Sequence, residues 1–224
     1  MNTFIWYIRT LIKMLLKRGV ETSYSQFGED VVVNAMLRSI QNGTYVDVGG
    51  FDPVLYSNTY LFYKKGWKGV VIEPNRTLKS KFSLIRHRDE FELCGVAESE
   101  KTMTYYKFNY PAYNTFDESA RDSYLAGNSS LKVIGTERVL LRPLKDILAK
   151  NNISKVDFMN VDTQGFDLQV LNSMGTLRPS VIAVEIENVA LDDAQKSPIY
   201  QFLTGIGYSL NGCAGVTFIF KLAL

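Results

Sequence analysis

Asp47, Gly49, Gly50 and Glu73 are spaced as a site for a nucleoside needs them. Tyr45-Val46-Asp47-Val48 reads as a short strand buried on both faces, as in a covered parallel sheet. It runs straight into Gly49-Gly50, where missing Cβ atoms allow a sharp turn and the close approach of a ligand. A second buried run, Gly69 to Ile72, ends in Glu73, and Pro74-Asn75 then forces a turn. A carboxylate at that strand tip can accept both hydroxyl protons of a ribose diol. Strand, glycine turn, helix, strand and acid together describe a nucleoside-containing cofactor on a Rossmann-like sheet. The turn lacks full G-x-G-x-x-G spacing, so S-adenosylmethionine is the stronger reading and an NAD-dependent oxidoreductase the runner-up.

A second group of acids falls near the carboxyl ends of later strands. Asp162 follows the run Val156 to Val161, and Glu187 with Asn188 ends the run Ser180 to Glu187. Doubly wound sheets bind ligands at such strand tips. Asp162, Glu187 and Asn188 would supply hard oxygen ligands for Mg²⁺, which lowers the pKa of a bound hydroxyl. This resembles the Asp, Asp, Asn arrangement of the catechol-type metal-dependent methyltransferases. The alternative keeps Asp162 as a base, or as a group that positions substrate, without metal. His87, between Arg86 and Arg88, reads as a surface residue.

These residues need a frame, and the chain alternates accordingly. Helices are expected from about Glu29 to Ile40, Thr59 to Lys65, Asn75 to Arg86, Leu144 to Lys150, Phe166 to Met174 and Pro198 to Thr204. Strands are expected at 45–48, 67–73, 91–96, 156–161 and 180–187, with a terminal antiparallel hairpin at 208–211 and 216–221. The pattern predicts an α/β fold: a doubly wound, mostly parallel, seven-stranded sheet ending in an antiparallel hairpin. Between Glu98 and Gly135 the pattern weakens. Met103 to Phe108 is one candidate strand, and Val139 to Leu141 a short extended piece. The stretch 109–130, rich in Tyr, Asn, Ser, Gly and Pro, reads as a long binding loop. Tyr105, Tyr106, Tyr110, Tyr113, Tyr124, Phe108 and Phe116 either stack on sugar rings there or cover the sheet edge.

At 224 residues the chain fits a single domain with a sizeable core. A net charge of +2 gives no global attraction to nucleic acid. Cys94 and Cys213 lie far apart with one histidine in the chain, which argues against a disulfide framework or a zinc site and for a reducing, cytoplasmic compartment. Residues 1–20 differ from the rest: Arg9, Lys13, Lys17 and Arg18 stand among apolar residues, with no acid. The charges break up any bilayer-spanning run. A basic amphipathic helix of this kind lies on an anionic membrane, peripherally at the inner membrane, or packs on the domain or on a second subunit of a homo-oligomer.

Five motifs in order carry a resemblance to a known family: Ser25-Gln26-Phe27-Gly28-Glu29-Asp30, Tyr45-Val46-Asp47-Val48-Gly49-Gly50, Ser57-Asn58-Thr59, Val71-Ile72-Glu73-Pro74-Asn75, and Val161-Asp162-Thr163-Gln164-Gly165-Phe166-Asp167. The chain from residue 21 to 224 resembles the FkbM family of S-adenosylmethionine-dependent O-methyltransferases. The family usually shows Lys at the position of Asn160 and Glu at those of Gln164 and Asp167. The resemblance implies methyl transfer to a hydroxyl, commonly on a sugar or a polyketide, and hence a saccharide or glycoconjugate acceptor. It implies that Gln26 and Thr59 face the methionine carboxylate and that Asp47 holds the glycine loop or meets the methionine amino group. Gly49 and Gly50 would flank the cofactor, Glu73 and Pro74 its ribose, and Cys94, Gly95 and Val96 its adenine. Asp162 and Glu187 are the catalytic candidates. A membrane-recruited, non-catalytic binding module with the same fold is the remaining alternative.

Overall fold

In a computed structural model, which describes residues 3–15, 21–186 and 190–223, strand and helix alternate as the sequence pattern requires. The N-terminal helix α1 covers Thr3–Leu15 and α2 covers Glu29–Met36. Then come β1 (Thr44–Val48), α3 (Tyr60–Lys64), β2 (Lys68–Ile72), α4 (Lys79–Ile85), β3 (Glu90–Glu92) and β4 (Gly95–Val96). An insert follows, with β5 (Lys101–Phe108), α5 (Glu118–Gly127) and β6 (Val133–Arg142). The chain closes through α6 (Leu144–Lys150), β7 (Phe158–Val161), α7 (Asp167–Asn172), β8 (Val181–Glu185), α8 (Pro198–Gly205), β9 (Tyr208–Ala214) and β10 (Thr217–Leu222).

Seven strands form the main sheet in the order β3-β2-β1-β7-β8-β10-β9. All neighbours run parallel except β10, which is antiparallel to both β8 and β9. The expected fold is the observed one. Period-two alternation divides its side chains between two cores. Val46, Val48, Met159, Val161, Ile182 and Val184 pack with α6, α7 and α8 on one face. Tyr45, Phe158, Val181 and Ala183 meet Val33, Leu37, Phe62 and Tyr63 of α2 and α3 on the other. From β1 the chain goes to β2 on one side, while β7 lies on the other, so the sheet's direction reverses there and opens a crevice beyond the strand ends.

The candidate strand 103–108 is present within β5, which joins β4 and β6 in a second, three-stranded sheet, β4-β6-β5, whereas 109–130 departs from the expectation of a long loop and holds the helix α5. Asp117 caps α5 by accepting from Ser119 N at 2.7 Å and Ala120 N at 3.0 Å. Gly135, Thr136 and Glu137 interrupt the apolar alternation of β6, which hides the strand in the sequence. The expected third strand at 91–96 is divided between sheets: Glu92 pairs with Ile72 in one, while Gly95 and Val96 pair with Leu141 and Arg142 in the other.

Candidate active site

A cavity of about 350 Å³ occupies the crevice, floored by the ends of β1, β2, β7 and β8 and walled on one side by the insert. Its size suits a small organic ligand. Of the residues singled out in the sequence, Gln26, Asp47, Gly49, Gly50, Glu73, Pro74 and Asp162 line it, as does the run Cys94-Gly95-Val96. Thr59 does not. It is fully buried below the floor, where its hydroxyl donates to Asp47 Oδ2. Glu187 and Asn188 lie outside the described residues.

Asp47 is a structural anchor as well as a lining residue. In the parallel register of β1 with β7 it pairs with Asn160, whose Nδ2 donates to Asp47 Oδ1 at 3.0 Å. Asn58 Nδ2 donates to Asn160 Oδ1 at 2.8 Å, extending this network to the loop before α3. The guanidinium of Arg86, itself buried, stands 3.6 Å from Asp47 Oδ2 and 2.7 Å from Asp89. Its Nη2 has no hydrogen-bond partner, and the rings of Tyr45, Tyr63 and Phe82 surround the group at 5.2, 5.7 and 5.4 Å. The cation Asp47 meets thus comes from beyond α4, while Asn160 of β7 offers it a neutral amide.

The double glycine is demanded by the fold itself. Gly49 has φ +85°, and a Cβ there would sit 1.7 Å from the Asp162 carbonyl oxygen. A Cβ on Gly50 would meet Val71 Cγ1 at 2.4 Å. Both residues let the β1 turn pack against neighbouring strand tips, so close approach of backbone to backbone, rather than of ligand to backbone, requires them first.

Glu73 is buried at the tip of β2 and accepts from Asn75 N at 2.6 Å. Burial pushes its carboxyl up to about 7; the Asn75 amide opposes that shift, and the charges of Asp47 and Asp162 add to it. The Tyr105 hydroxyl of β5 also engages Glu73. Tyr105, read from the sequence as a sugar-stacking or edge-covering residue, therefore sits on the ribose-binding candidate. Burial likewise raises the Cys94 thiol to about 11, so this cysteine is a small inert wall residue.

At the opposite end, two carboxylates share one amide. Gln164 Nε2 donates to Asp162 Oδ1 at 2.9 Å and to Glu185 Oε2 at 3.0 Å. The insert orients that amide: Tyr124 of α5 donates its hydroxyl to Gln164 Oε1 at 2.9 Å, and Thr115 Oγ1 donates to the Gln164 carbonyl at 2.7 Å. Gln164 itself has φ +52°, a strained backbone for a side chain that carries a Cβ. Burial pushes the Asp162 carboxyl up, against the hydrogen bond from Gln164. Asp167 accepts from Thr163 N at 2.9 Å and Gly165 N at 3.3 Å, which makes it the brace of the 163–167 turn. Glu185 was hidden in the sequence because the apolar run continues through Ile186 and draws the strand end to Glu187. The described strand ends at Glu185, and this residue stands beside Asp162.

Among the described residues no group of three or more His, Cys, Asp or Glu side chains could hold a metal ion. Of the three Mg²⁺ ligands read from the sequence only Asp162 is described, and the Gln164 amide directs its N–H groups at the oxygens a cation would need. The described donor set does not fit Mg²⁺. His87 is exposed and lies off the cavity, with its Nδ1 3.4 Å from the Tyr63 hydroxyl.

Residues 47–210 match the profile of the methyltransferase FkbM domain. The chain belongs to the FkbM methyltransferase domain family. At the level of class it is an S-adenosylmethionine-dependent methyltransferase, which sets aside the NAD reading. No curated protein sequence matches the chain. Similar solved structures include a methyltransferase from Geobacter sulfurreducens, at 11% identity over 100% of this chain and 91% of that one, with a TM-score of 0.43. A TehB-like SAM-dependent methyltransferase from Corynebacterium glutamicum shows 8% identity over 97% of each chain, TM-score 0.45. The O-methyltransferase TomG from Streptomyces achromogenes, solved with SAM, shows 14% identity over 92% of this chain and 82% of that one, TM-score 0.46. Likenesses this remote add nothing to the FkbM family match.

Proposed function

We propose that this FkbM-family protein transfers a methyl group from S-adenosylmethionine to a hydroxyl of a saccharide or glycoconjugate in the cytoplasm. Residues 21–224 form the catalytic domain on this reading. The observation that carries it is the polarity of one cavity: a buried single carboxylate, Glu73, at one end and the amide-bridged pair Asp162 and Glu185 at the other. Glu73 takes the ribose hydroxyls beside Pro74, the 94–96 segment borders the adenine, and Gln26 reaches the methionine carboxylate. S-adenosylmethionine, when bound, supplies an electrophilic methyl group.

The chain's own residues then have two tasks. They must hold an acceptor oxygen in line with that methyl group and receive the hydroxyl proton as the new O–C bond forms. Asp162 and Glu185 are placed to receive the proton, and the burial that raises Asp162 makes it a better base than an exposed carboxylate. Exposed Phe27 and Tyr56 at the cavity rim offer faces for a sugar ring. The free cysteines Cys94 and Cys213 suit a reducing compartment.

The test is transfer of labelled methyl groups from S-adenosylmethionine to a panel of neutral glycosides. Glu185→Gln should lower turnover about 10²- to 10⁴-fold with S-adenosylhomocysteine affinity unchanged. Full turnover in that variant would remove Glu185 from the chemistry. Activity undiminished by EDTA is expected of metal-free transfer, and loss restored by Mg²⁺ would overturn it.

A further inference from the structure

The helix α1 is not used by the chemistry above, yet it has a strongly two-sided composition. Phe4, Ile8, Leu11 and Leu15 recur at helical spacing along one stripe and are 69%, 41%, 54% and 82% exposed. The stripe is left largely exposed. Arg9 and Lys13 lie one turn apart on the face away from that stripe, and the helix contains no acid.

Charge is distributed unevenly between helix and domain. Residues 1–20 hold four of the chain's 25 basic residues and none of its 23 acidic ones, so the remainder has 21 bases against 23 acids. The basic excess of the sequence thus falls in the segment that contains α1. Thirteen residues of helix reach about 20 Å, short of the roughly 30 Å of a bilayer core. Among the described residues no helix is long and apolar enough to cross a membrane.

We propose that α1 docks the protein on the surface of an anionic lipid bilayer, lying in the plane of the interface. The acyl boundary takes the apolar stripe while anionic headgroups take Arg9 and Lys13, so one surface satisfies both faces of the helix. A second copy of the helix would cover the apolar stripe but brings no acid to pair with the basic face. Gln26 and Phe27, which line the cavity mouth, follow Leu15 closely in the chain. The intervening residues span at most about 40 Å even fully extended, which keeps the mouth near the lipid surface and near an acceptor carried there.

The test is co-sedimentation of the full chain with phosphatidylcholine vesicles, with and without phosphatidylserine. Binding is expected only with phosphatidylserine, and should weaken as salt rises. Arg9→Glu with Lys13→Glu should weaken it more than about thirtyfold, at roughly fivefold per lost charge. Leu11→Glu with Leu15→Glu should abolish it, while circular dichroism confirms that both variants are folded. Failure of the wild type to sediment with anionic vesicles at low salt overturns the proposal, as does equal binding to neutral ones. So does a lipid-free dimer, seen by light scattering, that the leucine variant dissolves. None of these results depends on methyl transfer, so they are separable from a failure of the catalytic reading.

Discussion

Glu73 carries the clearest pH signature in the molecule. Its carboxyl sits near 7, raised by burial and by the facing charges of Asp47 and Asp162, and opposed by the Asn75 amide and the Tyr105 hydroxyl. In the ligand-free protein this raised value favours folding while Glu73 is protonated. That contribution is fully present below the unfolded carboxyl range and is lost as pH rises through about 7. A ribose diol needs the ionised form, so nucleoside binding must release a proton below that pH. Affinity for S-adenosylhomocysteine should therefore fall by up to about tenfold per pH unit on acidification below 7. Calorimetry in buffers of different ionisation enthalpy should show the released proton, and Glu73→Gln should flatten the profile. Arg86 makes a second residue-level prediction. Replacing this buried cation with Met leaves Asp47 and Asp89 uncompensated, which should cost about 3–5 kcal/mol in chemical denaturation.

Among the elements, the β1 turn and the insert do the positioning. Gly49→Ala combines a disfavoured φ with a clash against the Asp162 carbonyl, and should cost about 3 kcal/mol, a drop of roughly 10 °C in Tm. Gly207→Ala, at φ +94° with nothing nearer than 4.0 Å, should cost only about 1 kcal/mol and serves as the control. Tyr124→Phe removes the hydroxyl that points the Gln164 amide at Asp162 and Glu185. Its expected effect is a lower kcat with S-adenosylhomocysteine affinity and KM unchanged; an unaffected kcat would make the contact merely structural. Legibility in the sequence divides along the same lines. The parallel strands were readable because they are uninterrupted apolar runs, and Glu73 because a proline turn follows it. The insert was not, since β6 carries Gly, Thr and Glu and pairs at long range with β5 and β4. Of the insert's aromatics, Phe108 packs in the interior and Phe116 packs on Tyr105 and Phe166 at the cavity wall, whereas Tyr124 orients a site residue. No periodicity distinguishes those two roles.

For the molecule as a whole, the sheet order opens a ligand crevice beyond the carboxyl ends of β1 and β7, on whose two sides the chain runs in opposite directions across the sheet. The segment 160–167, from the end of β7 to the start of α7, is compatible with that. Asn160, Gln164 and Asp167 each make hydrogen bonds that fix an acid or a turn, so uncharged or shorter groups hold the geometry where the family usually has charge or length. Sequence reasoning could not supply those partners, because Asn58, Tyr124 and Glu185 are brought to the site by tertiary contacts. It misplaced Thr59 for the same reason: a hydroxyl near a ligand and one beneath it look alike along a chain. The first experiment is calorimetric titration of S-adenosylhomocysteine into the wild-type protein and Glu73→Ala at a pH above 7. Micromolar binding, on the order of −8 kcal/mol, that weakens at least fiftyfold in the variant is the predicted result. No binding by the wild type, or equal binding by both proteins, would contradict the assignment of this cavity to the methyl donor.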